Sequence, residues 1–301
     1  MVRRQEKERY LIPNSIEETI RLLESHSGQA QIIAGGTDVM ADLRQKKIRP
    51  RCLVDITRIP GLDQIKVTEN FVEAGAAVTF AALKASPFLN QRQAHALADA
   101  ARSVGAPGIQ NAATWVGNIV QAMPAADGAI VAIALEAEAR IVDSHSVEWR
   151  SVESLFGGPG VSAIDSSRQF VTHIRFPRPQ SPWGTAWKRV GRRPSLVLPI
   201  LNCAVKVCLD AQSIQIEHAT IALGPVAPRP FRAREAEAFL RGRWPTGKIF
   251  AQAARIAQAE SNPRSSIMRA SREYRLDVVL TLVSDALATA TERARYATKA
   301  I

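Results

Sequence analysis

Two short stretches of the chain have the residue types to hold an anion. In Ile32-Ile33-Ala34-Gly35-Gly36-Thr37-Asp38, a β-branched run ends at two glycines, and Thr-Asp then opens a helical segment that begins at Val39. Glycines allow positive φ and carry no Cβ to obstruct a ligand. Successive backbone N–H groups in such a turn form an anion-binding nest, and a helix N-terminus just beyond adds positive potential. Thr37 can donate its hydroxyl to a phosphate oxygen, and Asp38 reads as the cap of the following helix. An ordinary strand–turn–helix connection has the same composition, so this stretch alone does not decide. In Ala113-Thr114-Trp115-Val116-Gly117-Asn118-Ile119, small donors again surround a tight bend, and the chain runs on through Gln121 to Pro124-Ala125-Ala126-Asp127. Asp127 can accept ribose hydroxyls or cap the apolar run Ala129 to Leu135.

Other chemistries find little support. Cys52, Cys203 and Cys208 are three in number, with no CxxC and no histidine at ligand spacing. That pattern holds neither zinc nor an iron–sulfur cluster, and the expected metal ligands are none. Cys203 and Cys208 lie in an apolar strand-like run and read as core thiols. His26, His95, His145, His173 and His218 are scattered, and no nucleophile has a positioned base, so no catalytic side chain is expected. The net charge of +11 raises nucleic-acid binding. Against it, the 6% of aromatic residues do not interleave with the arginine clusters, of which Arg189, Arg192 and Arg193 form one. A basic face for an acidic partner or an anionic cofactor explains the charge as well. Arg3-Arg4 is not followed by an apolar segment, and no apolar run is long enough to span a bilayer, so a soluble cytoplasmic protein is expected.

The elements that must position the two stretches alternate in the first half. Ser15 with Glu18 forms a capping box before an amphipathic helix over Ile16 to Ser25. Strands are expected at Gln31–Ala34 and Cys52–Ile56, and a hairpin at Ile65–Val67 and Phe71–Ala74 around Glu69-Asn70. Helices follow at Val39–Lys47, Thr79–Ala85, Asn90–Val104 and Ala125–Leu135, then strands at Ala139–Val142 and Phe170–Phe176. Pro177-Arg178-Pro179-Gln180-Ser181-Pro182 reads as a linker. Beyond it come three strands (Thr185–Val190, Ile200–Leu209, Ile214–Leu223) and then helices at Arg232–Arg241, Lys248–Gln258 and Arg272–Ala297. The last carries the stripe Leu276, Val279, Leu280, Val283, Leu287 and Ala290. The pattern is α+β in two domains, 1–178 and 179–301.

Taken together, AGGTD and ATWVGN followed by PAAD resemble the FAD-binding (medium) subunit of molybdenum hydroxylases of the xanthine dehydrogenase and carbon monoxide dehydrogenase type. The likeness continues at Gly224-Pro225-Val226-Ala227-Pro228-Arg229-Pro230 and at Ala270-Ser271-Arg272-Glu273-Tyr274-Arg275, and spans roughly Arg9 to Ala290. Several motifs in order are far more specific than any one. The resemblance implies a two-part FAD-binding domain of the PCMH/vanillyl-alcohol-oxidase-like type, followed by a small sheet-plus-helices C-terminal domain with a three-stranded sheet. It places Ile32, Ile33, Ala34, Gly35, Gly36, Thr37, Asp38 and Val39 around the FAD pyrophosphate. Thr114, Gly117, Asn118 and Gln121 match the second set of contacts, and Asp127 a ribose- or phosphate-side contact. Val104 and Val171 match apolar positions near the flavin, and Lys188 a lysine near the isoalloxazine. One departure stands at Trp115-Val116, where the family usually has a small apolar residue and a glycine; a valine is tolerable there only at negative φ.

The resemblance further implies an electron-transfer subunit. A molybdopterin-binding large subunit and a [2Fe–2S] small subunit are the expected partners, in a dimer of heterotrimers. Electrons would pass from the [2Fe–2S] subunit to FAD and on to NAD+ or another acceptor. Two alternatives stay open on the sequence: a self-contained flavin oxidase, and a flavin-poor structural subunit of the same complex.

Overall fold

The computed structural model describes residues 9–193, 196–212 and 214–298; Arg3-Arg4 lies outside them. The chain opens with β1 (Arg9–Leu11), α1 (Ile16–Ser25), β2 (Ala30–Ile33), α2 (Val39–Arg44) and β3 (Cys52–Asp55). The three strands form a parallel sheet in the order β1-β3-β2. Ser15 Oγ accepts from the Glu18 amide at 3.1 Å, and the Glu18 carboxylate reaches back to the Asn14 amide at 2.7 Å, so the capping box forms one residue wider than its simplest version.

β4 (Ile65–Val67) and β5 (Phe71–Gly75) make the expected hairpin. Five short helices follow: α3 (Phe80–Ala85), α4 (Ala96–Ser103), α5 (Pro107–Ala112), α6 (Trp115–Val120) and α7 (Asp127–Ala134). The expected single helix Asn90–Val104 is instead a 3₁₀ turn at Arg92–Ala94 followed by α4. The cause is Thr185, whose hydroxyl accepts from the Ala96 amide at 3.2 Å and donates to the Gln93 carbonyl at 2.8 Å, replacing helical bonds. A mixed-length antiparallel sheet then completes this half: β6 (Glu138–Val142), β7 (Val147–Ser151) and β10 (Phe170–Pro177) join the hairpin in the order β4-β5-β10-β6-β7. Between them β8 (Phe156–Gly158) pairs with β9 (Val161–Ser162). β7, β8 and β9 are additions to the sequence reading.

The C-terminal sheet has four strands rather than three. β11 (Trp183–Val190), β12 (Leu201–Leu209) and β13 (Ile216–Gly224) run antiparallel, and the two-residue β14 (Phe231–Arg232) adds to β13. α8 (Arg234–Leu240), α9 (Gly247–Glu260) and α10 (Arg272–Thr298) complete the chain. In α10, Val279, Val283, Leu287 and Ala290 are buried as expected, while Leu276 and Leu280 are half-buried. No helix among the described residues is long and apolar enough to cross a membrane.

Two apolar cores share β12, all nine residues of which are buried. Cys203, Val205 and Val207 face the core made with α9 and α10; Ala204 and Cys208, one residue out of phase, face the core of the N-terminal half. On that second face Asn202 and Lys206 meet the two ends of α7. Lys206 Nζ lies 2.6 Å from Glu136, which follows the helix, and Asn202 Nδ2 lies 2.5 Å from Asp127, which begins it. Burial pushes the Glu136 carboxyl up, but His218 and Lys206 beside it more than offset this and hold it well below the usual range.

Candidate functional site

A cavity of about 490 Å³ lies between the parallel sheet and the α5–α6 segment, with the chain around Ser162–Val171 as a third wall. Its floor is the first glycine stretch. The backbone leaves β2 at Ile33, and Gly36 adopts φ +68°, a left-handed conformation that favours glycine. A Cβ on Gly35 would stand 1.8 Å from the Ala112 carbonyl oxygen and 2.9 Å from Ala113 Cα. The turn thus lies directly on the α5–α6 junction, at a separation only glycine permits. Among the described residues, the N–H groups of Gly35, Gly36, Thr37 and Asp38 find no acceptor within the chain. Four successive backbone donors are thus left for a ligand.

Asp38 departs from its expected role as a helix cap. It precedes α2 with helical φ and ψ, and its side chain caps nothing. The carboxyl lines the cavity, where burial and then Asp42 raise its pKa. Among the described residues the cavity lining carries no Lys, Arg or His. Neutralisation of an anion there rests on backbone amides.

The second stretch is the start of a helix rather than a free loop. Thr114 is the N-cap of α6, and its hydroxyl accepts from the Gly117 amide at 3.1 Å. A β-bridge between Thr79 and Thr114 fixes the approach, with Phe80 donating to Ala113 and Trp115 to Val78. Val116 therefore has helical backbone geometry and no left-handed strain; it is buried and lines the cavity. Trp115 points the other way. It is buried in the core, donates Nε1–H to the Gly128 carbonyl at 2.9 Å, and meets Phe176 edge-on at 6.4 Å. The departure at Trp115-Val116 thus fills the core and one wall without distorting the turn.

The structure brings together Ile32, Ala34, Gly35, Gly36, Thr37, Asp38, Val39, Val104, Thr114, Gly117, Asn118, Gln121 and Val171 around this one cavity. It leaves Ile33, Asp127 and Lys188 outside the lining. Ile33 is buried at the end of β2, its side chain under Gly36. Asp127 is held by Asn202 and lies 3.6 Å from Arg189. Burial raises its pKa to about 6, while Arg189 and Asn202 draw it down. Lys188 lies on the face of β11 turned toward the C-terminal core. It shares parity with Ala186 and Val190, which pack on the C-terminal core, whereas Trp187 packs on the N-terminal core.

The sequence reading missed the wall formed by Ser162, Ile164, Ser166, Gln169 and Phe170. A bulge in the β6–β10 pairing between Val171 and His173 lies at its end. It also missed Gln110, which is buried and donates to the Arg102 and Val104 carbonyls at 3.0 Å, holding Val104 at the rim.

Two observations test whether a dinucleotide cofactor fits: the N–H groups from Gly35 to Asp38 are free among the described residues, and the glycine backbone leaves the cavity floor bare. Set along one cavity, they suit a long ligand with phosphates. Asn118 lines the cavity, but its Oδ1, which lacks a partner among the described residues, is buried against Gly128, 2.7 Å from where a Cβ would stand there.

Comparison with known proteins agrees. Residues 5–179 match the family described as "FAD binding domain in molybdopterin dehydrogenase", and residues 186–290 match "CO dehydrogenase flavoprotein C-terminal domain". The chain is 29% identical over 281 residues to the xanthine dehydrogenase FAD-binding subunit of Escherichia coli O157:H7, covering 92% of this chain and 94% of that protein. It is 27% identical over 278 residues to the carbon monoxide dehydrogenase medium chain of Hydrogenophaga pseudoflava, covering 92% and 95%. A solved structure of carbon monoxide dehydrogenase from the same organism superposes with a TM-score of 0.87 at 27% identity, over 97% of this chain and 99% of that one. With the first match alone spanning more than half of its length, the chain belongs to the FAD-binding subunits of the molybdopterin dehydrogenases, of the xanthine and carbon monoxide dehydrogenase type.

Proposed function

We propose that this protein is the electron-transfer subunit of a molybdenum hydroxylase complex. In this reading it takes electrons from a [2Fe–2S] subunit and passes them to NAD+ or another acceptor. A molybdopterin-binding large subunit completes a heterotrimer, doubled in the assembled cytoplasmic complex. FAD, when bound, supplies the exchange between one-electron donors and a two-electron acceptor. The single observation carrying the reading is the row of free amides from Gly35 to Asp38 opening into the cavity beside Asn118.

The residues divide the binding between them. The nest takes the pyrophosphate through its N–H groups, Thr37 adds a hydroxyl donor, and Asn118 and Gln121 serve sugar hydroxyls. Val104, Val116 and Val171 offer an apolar surface to the flavin ring and exclude water from it. The FAD-binding domain extends over 1–178, and the C-terminal domain over 179–301 holds α7 in place through β12. Relatives whose names carry xanthine, nicotinate and carbon monoxide align over 92%, 77% and 92% of this chain, which supports a substrate handled by another subunit. The test is direct. The purified chain, boiled and clarified, should release FAD in about equimolar amount by fluorescence. In the complex, substrate should bleach that flavin only when the partner subunits are present. A chain that releases no flavin, or that oxidises a small alcohol alone, refutes the proposal.

A further inference from the structure

Helix α4 ends at Ser103, and the carbonyls at a helix end need donors from elsewhere. Two side chains supply them. Gln110 Nε2 donates to the Arg102 and Val104 carbonyls, both at 3.0 Å, and Arg189 Nη1 donates to the Ser103 carbonyl at 2.9 Å. The chain then turns at Gly105, whose φ of +54° favours glycine. A Cβ there would stand 2.8 Å from Ile109 Cβ, so the turn is pressed onto α5. Val104 and Ile109 both line the cavity, whereas Gln110 and Lys84 do not.

The Gln110 amide can act this way in only one orientation. It is buried, and both hydrogens of its nitrogen are spent on carbonyls, so its Oε1 faces the other way. There Lys84 Nζ donates to it at 2.9 Å. Lys84 is half-buried in the last turn of α3, and no carboxylate pairs with it among the described residues. Asn90 Nδ2 donates to the Lys84 carbonyl at 2.7 Å and to the Ser86 carbonyl at 2.9 Å, which fixes this end of α3. Turned over, the amide would set its oxygen against two carbonyl oxygens and its N–H groups against an ammonium. All of those contacts repel, and a buried polar group left unpaired is costly.

We propose that Lys84 and Gln110 are a positioning pair for the cofactor: the ammonium fixes the sense of the buried amide, and the amide holds Val104 against the flavin ring. The proposal rests on the reading of the cavity as an FAD site and names what sets one of its walls. Neither side chain touches the cofactor. Their effect passes through the backbone at Val104, and a wall that drifts outward admits water to the ring. The sequence gives no sign of the pair, because its members lie 26 positions apart on two short helices.

The experiment strips flavin from the full chain and titrates FAD back into wild type, Lys84→Met, Gln110→Glu and the double variant Lys84→Met/Gln110→Arg. Methionine keeps the apolar stem without the ammonium. Glutamate can still accept from Lys84 but has no hydrogen for either carbonyl. In the double variant a guanidinium supplies donors in a fixed sense and needs no ammonium to orient it. Each single variant should raise the Kd for FAD about tenfold, the size of one charge-assisted hydrogen bond, and should expose the bound flavin to quenching by iodide. The double variant should recover both. Single variants that hold FAD as tightly and as well shielded as wild type overturn the proposal, as does a double variant no better than Lys84→Met. A lysine that only braced α3 would lower the thermal midpoint of the flavin-free chain and leave iodide access unchanged, and that result also overturns it. A wild-type chain that binds no FAD refutes the functional reading itself, and the pair falls with it.

Discussion

Around Gly35 and Gly36 the backbone keeps its amide hydrogens free among the described residues, whereas around Gly117 it has used them. The two stretches look alike as strings of small residues, and they touch, Gly35 lying against Ala112 and Ala113 just ahead of Thr114. Their backbones differ because their neighbours differ. Gly36 turns left-handed at a strand end, and the successive N–H groups from Gly35 to Asp38 stay unbonded among the described residues beside the cavity. The Thr114 hydroxyl caps α6, so the Gly117 amide faces inward and only side chains and wall surface are offered to a ligand. In the function proposed above the first stretch is the anion site, and the second is the buttress that sets its distance and supplies Asn118.

The substitution that should separate them most is Gly35→Ala. Its Cβ would fall 1.8 Å from a backbone oxygen, and neither backbone has a flexible end to move. The cost exceeds the ~1–3 kcal/mol of ordinary overpacking. Flavin released per chain should drop close to zero and the thermal midpoint should fall by several degrees. Retention of wild-type FAD would mean that the two stretches are not locked together.

How far this difference could be read from the sequence depended on the kind of signal. The nest was legible because β-branched residues, two glycines and Thr-Asp follow one another within a few positions. The helical state of Trp115–Val120 was hidden, since six residues carry less than two turns of periodicity. The break before Ala96 was also hidden, because it is imposed by Thr185 from the C-terminal sheet. Lys188 shows another limit. β11 packs on both faces, so apolar alternation could not tell which parity looks toward the first core. The wall of Ser162, Ile164, Ser166, Gln169 and Phe170 mixes polar and apolar residues and lies mostly in irregular backbone between β9 and β10, so it gives no periodic signal.

Asp127 provides the next test, because it ends the second motif yet lies outside the cavity lining. An ordinary aspartate has a pKa of about 3.9. Burial raises Asp127 to about 6 despite Arg189 and Asn202. The folded chain therefore holds this proton more tightly than the unfolded chain. Its stabilising contribution is complete below about pH 4 and is lost as pH rises through about 6, roughly 3 kcal/mol in all. Asp127→Asn cannot titrate. Denaturant unfolding should show the variant gaining on wild type as pH rises from about 4 to about 6, with FAD retained. A gap that stays constant would deny the burial effect, and loss of FAD with an intact fold would move Asp127 into the cofactor site.

The smallest effect is expected from Gly117→Ala, and its smallness matters as much as the size of the first. Gly117 has helical backbone geometry, where alanine is favoured over glycine by ~1 kcal/mol. Its Cβ would meet one atom, Thr114 Oγ1 at 2.9 Å, and a hydroxyl can rotate away at the expense of its cap bond. Loss of such a cap costs about 1 kcal/mol, so the two terms nearly cancel. Stability should change by less than about 1 kcal/mol, and FAD content should hold, because the Gly117 amide is already bonded to Thr114 and has no hydrogen for a phosphate. If instead Gly117→Ala empties the cavity while the fold survives, the second stretch is a phosphate-contacting turn in its own right. The division between nest and buttress would then have to be redrawn around two anion sites.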